Sequence, residues 1–233
     1  MAMKKVSILF VLGFVCLQFS CGKKNVEEYK GIITFVVGTV VLERGPEKIK
    51  VSVSQEIQNG DVLVTEAGST ATIAFGENSS LLEIQSDSRF RFDNIKADKK
   101  FFQEKGRSWL LSNKLVKGEG ISLGTPTSTA GVRGTKFYTN VIGDVTMICH
   151  CEGKVELENN ADHSKSVNDS DYLSITKGTK TIYLTSKDLQ KGNVPYSHDH
   201  SELSDSPLGK QNQMTAEQGD LLMKLVEKKF SGK

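Results

Sequence analysis

Between positions 32 and 159 apolar residues come in short bursts, many of them spaced two apart, separated by glycine-bearing or polar turns. The stretch IITFVVGTVVLER is rich in β-branched residues, and GPEK at Gly45 to Lys48 turns the chain into IKVSV. Asn59-Gly60 is a strong turn pair ahead of DVLVT. Ala71, Ile73 and Phe75 share one face of STATIAF, GEN turns the chain into LLEIQ, and Phe90 and Phe92 share a face of SRFRFDN. Such strands, with turn signals about every eight to twelve residues, predict an all-β sandwich, barrel or roll.

The charge-rich segment Ile95 to Arg107 breaks this rhythm and is expected to be a loop or short helix, a solvated excursion because acids are interleaved with its lysines. Trp109 follows in SWLLSNKLV, a core strand, and KFYTNV, DVTMICHC and GKVELE supply closing strands. Residues 160–185 predict a hairpin turning near Gly178, residues 186–213 a polar linker, and residues 214–233 a C-terminal amphipathic helix. Its signals are Leu221, Leu222, Leu225 and Val226 on one face and the capping-box spacing of Thr215 and Gln218. Gly219 weakens it, and the helix is expected to pack on its own domain.

The N-terminus has a different pattern. Lys4 and Lys5 precede an almost continuous apolar run from Val6 to Leu17, and QFSC places small Ser20 before Cys21. A membrane-spanning helix needs roughly twenty apolar residues, so the run reads as a signal peptide over residues 1–20. The cysteine after it resembles the acylated residue of a bacterial lipobox, with Gln18 where an aliphatic residue is usual. Cys21 is therefore the expected lipidation site, residues 21–31 the tether, and the cell envelope the expected location, at the periplasmic face or cell surface. The N-terminal lipid is the only membrane contact expected.

The 233 residues are 25% charged and 37% hydrophobic, a globular composition. Removing the leader takes Lys4 and Lys5 away and lowers the formal charge from +2 to zero. Nucleic-acid binding wants a basic excess, so this balance argues against it.

One stretch, TPTSTAGVRGTKF, concentrates candidate chemistry. Gly131 and Gly134 are too close for a phosphate-binding G-x-x-x-x-G-K-[ST] loop, and a strand rather than a helix is expected after them. G-x-S-x-G and H-E-x-x-H are absent as well, so no catalytic residues and no enzyme activity are predicted. Physically the stretch describes a rigid corner. Pro126 holds its neighbours extended, and the hydroxyls of Thr125, Thr127, Ser128 and Thr129 can satisfy backbone groups. Past Ala130, the glycines around Val132 and Arg133 permit left-handed or close-packed backbone, and Arg133 can brace several carbonyls before Thr135 and Phe137 start the next strand.

This stretch resembles the hallmark of FecR-type periplasmic domains, and GTVVLERG, NGDVLVTEAGSTATIAFGENSSLLE and EGKVELE stand around it in the matching order. The likeness runs from about Gly38 to Glu158. It implies a FecR-like β sandwich or roll over residues 32–159 and, in the regulators that name the family, reception of a signal from an outer-membrane siderophore transporter and control of a sigma factor. Those regulators also carry a cytoplasmic anti-sigma segment and a transmembrane helix; the expected leader and lipid anchor here look instead like the stand-alone FecR-domain lipoproteins of spirochaetes. Motif residues are then a structural corner or a partner contact. The implied role is non-catalytic binding or sensing, with an envelope protein or cell-wall component as partner.

Cys149 and Cys151 are two apart, hence on one face of a strand with His150 on the other. A disulfide between them would close a small strained ring, leaving isolated thiols, an intermolecular bond or metal ligation as alternatives. No cofactor is required, but if the tail folds back, His198 and His200 could complete a zinc or copper site with the two thiolates. The plainer alternative is two small apolar side chains in a strand, and a purely structural envelope role competes with both.

Overall fold

The computed structural model describes residues 30–76, 80–113, 119–132, 134–169, 172–194 and 215–232. Strands dominate, so the all-β expectation holds. Most of the molecule is built from long legs bent in the middle. These are β1 (Gly31–Val37) into β2 (Val40–Arg44), β5 (Val62–Thr65) into β6 (Thr70–Phe75), β7 (Ser80–Ile84) into β8 (Arg89–Asn94), and the single strand β9 (Asp98–Ser112). Later legs are β11 (Ser128–Val132) into β12 (Lys136–Ile142), β13 (Val145–Glu152) into β14 (Val155–Asn159), and β15 (Lys165–Asn168) into β16 (Tyr172–Lys177). The remaining strands are β3 (Glu47–Lys50), β4 (Glu56–Ile57), β10 (Gly120–Gly124) and β17 (Lys180–Thr185).

Half of each leg lies in each of two sheets. The front sheet runs β4-β1-β6-β7-β9-β12-β13-β16-β17 and the back sheet β3-β2-β5-β8-β9-β10-β11-β14-β15. Pairing is antiparallel except between β10 and β9. Among the described residues only β9 belongs to both sheets as one unbroken strand: residues 98–105 pair with β8 and β10, and residues 106–112 with β7 and β12.

The bends form two rows at opposite ends of the sandwich. In the first row Gly106 has φ +85, and a Cβ placed on it would lie 2.5 Å from the Ser88 Cα; Gly38 stands over Ser69 in the same way. The serines then close the corners, Ser69 Oγ accepting from the Thr39 N–H (2.8 Å) and Ser88 Oγ from the Arg107 N–H (2.8 Å). The second row serves the later legs. There a Cβ on Gly153 would come within 2.8 Å of the Gly134 carbonyl, and the Thr135 hydroxyl donates to the Lys154 carbonyl (3.2 Å).

The segment expected as a loop or short helix is instead the first half of β9. Lys99, Phe101 and Gln103 are buried while Asp98, Lys100 and Glu104 are exposed, so its charges largely mark the outer side of a strand with period two. The polar linker expected from residue 186 is also corrected at its start. Ser186–Lys191 form a short helix, α1, capped by Thr185 and Asp188 in a capping box, and Leu189 and Val194 are buried. The rest of that segment lies outside the described residues, as do the leader and Cys21. At the C-terminus α2 (Ala216–Ser231) begins with the Thr215–Gln218 capping box read from the sequence.

Two apolar clusters result. Between the sheets, Ile33, Leu42, Leu63, Ile73, Leu82 and Leu110 pack with Phe75, Phe90, Phe92 and Phe101, whose ring centroids lie 5.3–6.3 Å apart. On the outer face of the front sheet, Leu173, Ile175, Ile182 and Leu184 are covered by Leu189 of α1 and by Leu222 and Val226 of α2. The Lys229 to Asp188 ion pair (3.3 Å) and the Lys180 ammonium on the Phe230 carbonyl (2.7 Å) fasten α2 there.

Candidate functional site

The singled-out stretch occupies both ends of the sandwich. Thr125 to Thr127 turn the β10–β11 hairpin at one end, and Gly134 and Thr135 form a corner of the second row at the other. Between them β11 places Ser128, Ala130 and Val132 inward, and Phe137 of β12 joins the same core.

At the hairpin end the hydroxyls form a chain. The Thr125 Oγ1 accepts from the Ser128 N–H (3.0 Å) and lies 2.8 Å from the Thr146 Oγ1, which also accepts from the Thr127 hydroxyl (2.7 Å). Thr127 reaches the Thr176 carbonyl (3.4 Å), and Thr176 and Thr181 meet at 3.1 Å. Asn160 ties the outside, donating to the Thr125 carbonyl (2.8 Å) and accepting from Thr129 (3.0 Å), while Pro126 is exposed at the turn. These side chains therefore join the end of the back sheet to β13, β16 and β17 of the front one.

The two glycines of the stretch differ. Gly134 has φ +73, the left-handed corner the sequence predicts. Gly131 sits in regular strand, and a Cβ there would meet the Glu156 Cβ at 3.8 Å, an ordinary contact, so neither reason expected for it applies. Arg133 lies outside the described residues.

At the corner end the stretch borders an open cavity of about 500 Å³ lined by Leu111, Ser112, Asn113, Gly134, Thr135, Lys136 and Glu152. Lys136 and Glu152, opposite each other on β12 and β13, pair at 2.7 Å across its rim. The cavity thus combines backbone at a fixed corner, polar side chains and one charge of each sign. A smaller polar cavity, about 340 Å³, includes Asn159, Ser164, Ser166, Thr181 and Tyr183 between β15 and β17.

Beside the larger cavity, one register row of the front sheet's outer face carries Glu83, Trp109, Tyr138, Cys149 and Leu173 on successive strands. Burial, ahead of the local charges, pushes the Tyr138 phenol up to about 12. Cys151 follows Cys149 on the same side of β13, the two sulfurs being 3.8 Å apart and not disulfide-bonded. The neighbouring Cys149 thiol, and then burial, pushes the Cys151 thiol up.

His150 points to the other side, with its Nε2 3.0 Å from the Ser174 Oγ. Both are buried and Ser174 also donates to the Ile148 carbonyl (3.3 Å), so this histidine–serine pair is shielded from solvent. His198 and His200 lie outside the described residues, and among the described residues no group of three or more His, Cys, Asp and Glu side chains could hold a metal.

The geometry defines a two-sheet all-β domain with corners in two rows. Residues 61–156, from the residue before β5 into β14, match the family model described as FecR protein. Two crystal structures of a candidate anti-sigma factor from Parabacteroides distasonis are similar to the chain at 12% and 13% identity, with TM-scores of 0.47 and 0.46. In each, the similarity covers 53% of this chain and 59% of the other, less than two thirds of its length. No curated protein matches the chain.

Proposed function

We propose that the protein is a non-catalytic lipoprotein of the cell envelope whose FecR domain binds or senses an envelope protein, anchored through lipid on Cys21. The observation that carries this reading is the division of labour within TPTSTAGVRGTKF. Its hydroxyls at the hairpin end are engaged in bonds that hold the two sheets together, and its corner end walls an open cavity with Lys136 and Glu152 on the rim. A rigid corner beside a charged, solvent-facing concavity suits recognition of a polar protein surface more than turnover. The sealed His150–Ser174 pair also favours a non-catalytic role.

Affinity capture from crosslinked envelope fractions tests it, using the full chain and a Lys136→Ala/Glu152→Ala variant. A recurrent stoichiometric protein, depleted with the variant, is the expected result. Capture of cell-wall fragments alone would replace the protein partner, and a background-level result would overturn the binding reading. Palmitate incorporation, expected to vanish in Cys21→Ala, tests the anchor separately.

A further inference from the structure

The cluster beneath α2 is chemically unlike the main core. Met147, Cys149 and Cys151 stand two residues apart along the outer face of β13, and Met223 of α2 packs into the same cluster. These are all the sulfur-bearing side chains among the described residues. Cys149 sits opposite Tyr138 and Leu173 where β13 is paired on both sides, and Cys151 follows it at the register shift between β12 and β13, with the two sulfurs 3.8 Å apart.

Two sulfurs at this spacing can approach one cation from either side. Zinc takes four ligands in a closed site, and no group of three or more His, Cys, Asp and Glu occurs among the described residues. A soft monovalent ion is satisfied by two thiolates, and thioethers are compatible neighbours for it. We propose that Cys149 and Cys151 form a two-thiolate site for Cu(I), set in the sulfur-rich cluster between the front sheet and α2. Each thiol gives up its proton and forms one S–Cu bond; no electron is transferred, and the bis-thiolate complex carries one net negative charge. The site does not rest on the envelope-binding reading, and its test shares no readout with partner capture.

The experiment uses the full chain with Cys16→Ala and Cys21→Ala as a common background, reduced and kept anaerobic, titrated with Cu(I) against a chromogenic Cu(I) chelator. One equivalent should bind, and Cys149→Ala or Cys151→Ser should each abolish that step while circular dichroism shows the fold retained. If Cys149→Ala fails to fold, Cys151→Ser, at the partly exposed position, decides alone. His198→Ala/His200→Ala should leave the step intact. Loss in the histidine variant, retention in Cys151→Ser, or a preference for Zn(II) over Cu(I) would each overturn the two-thiolate assignment.

Discussion

Between the two sheets the largest buried apolar side chains are phenylalanines and branched aliphatics, and every strand of the sandwich's centre contributes to them. Under α2 the buried surface is smaller, faces one sheet only, and mixes leucine and isoleucine with two methionines and two thiols. The first core is closed by interlocking backbone, whereas the second is closed by two helices that follow the last strand. Interdigitated rings fix a unique packing; sulfur-bearing side chains adapt to irregular space and can be exchanged with smaller loss. The difference assigns global stability to the first core and adaptable chemistry to the second.

The sharpest way to break this contrast is Phe92→Ala, which empties the middle of the ring cluster. It should cost about 3–5 kcal/mol in urea unfolding and loosen both sheets. Ending the chain at residue 214 removes α2 and exposes the second core. Fully burying a leucine or valine contributes about 1.5–3 kcal/mol, so losing Leu222 and Val226 should lower stability and raise dye binding, with protection of β6–β8 amides retained. If those amides also lost protection, the two cores would be one unit. The corners give a finer comparison. Gly106→Ala meets both a positive φ and the Ser88 backbone and should cost more than about 1–3 kcal/mol, while Gly131→Ala, in regular strand with room for a Cβ, should melt close to the parent.

The smallest expected effect is on the second core's pH response. The Thr185 N–H, and then its hydroxyl and Lys229, holds the Asp188 carboxyl below the ordinary aspartate range. A depressed carboxylate stabilises the fold fully above the unfolded pKa of about 3.9 and loses that contribution as pH falls through the lower folded value. Thermal melts of Asp188→Asn should therefore show a small loss of stability at neutral pH, shrinking as pH falls and vanishing below the folded pKa, so that the acid limb of the stability profile is flatter than the parent's.

Much of the fold was legible where pattern and burial agree. Ala71, Ile73 and Phe75 share the inner face as their spacing predicts, Phe90 and Phe92 do likewise, and the Thr215–Gln218 box starts α2. The first half of β9 was not, because lysines and acids filled its exposed positions and a buried lysine and glutamine stood among its inward ones. The helix α1 does not stand out in the sequence although Thr185 and Asp188 have capping-box spacing, since six residues hold too little periodicity. For the candidate site, the corner at Gly134 and the shared face of Cys149 and Cys151 follow from local geometry. The cavity beside them does not, because Leu111 to Asn113, Gly134 to Lys136 and Glu152 meet only through nonlocal strand pairing.

The bent strand β9 has a consequence for how the chain is assembled. Legs β1 to β8 find their partners among residues before Ser112, and β9 completes both of their sheets. Only then do its outer edges offer the templates on which β10 and β12 add. The N-terminal half can thus take shape while later residues are still arriving, and the half that carries the thiols and the charged cavity is laid down last, on a finished scaffold.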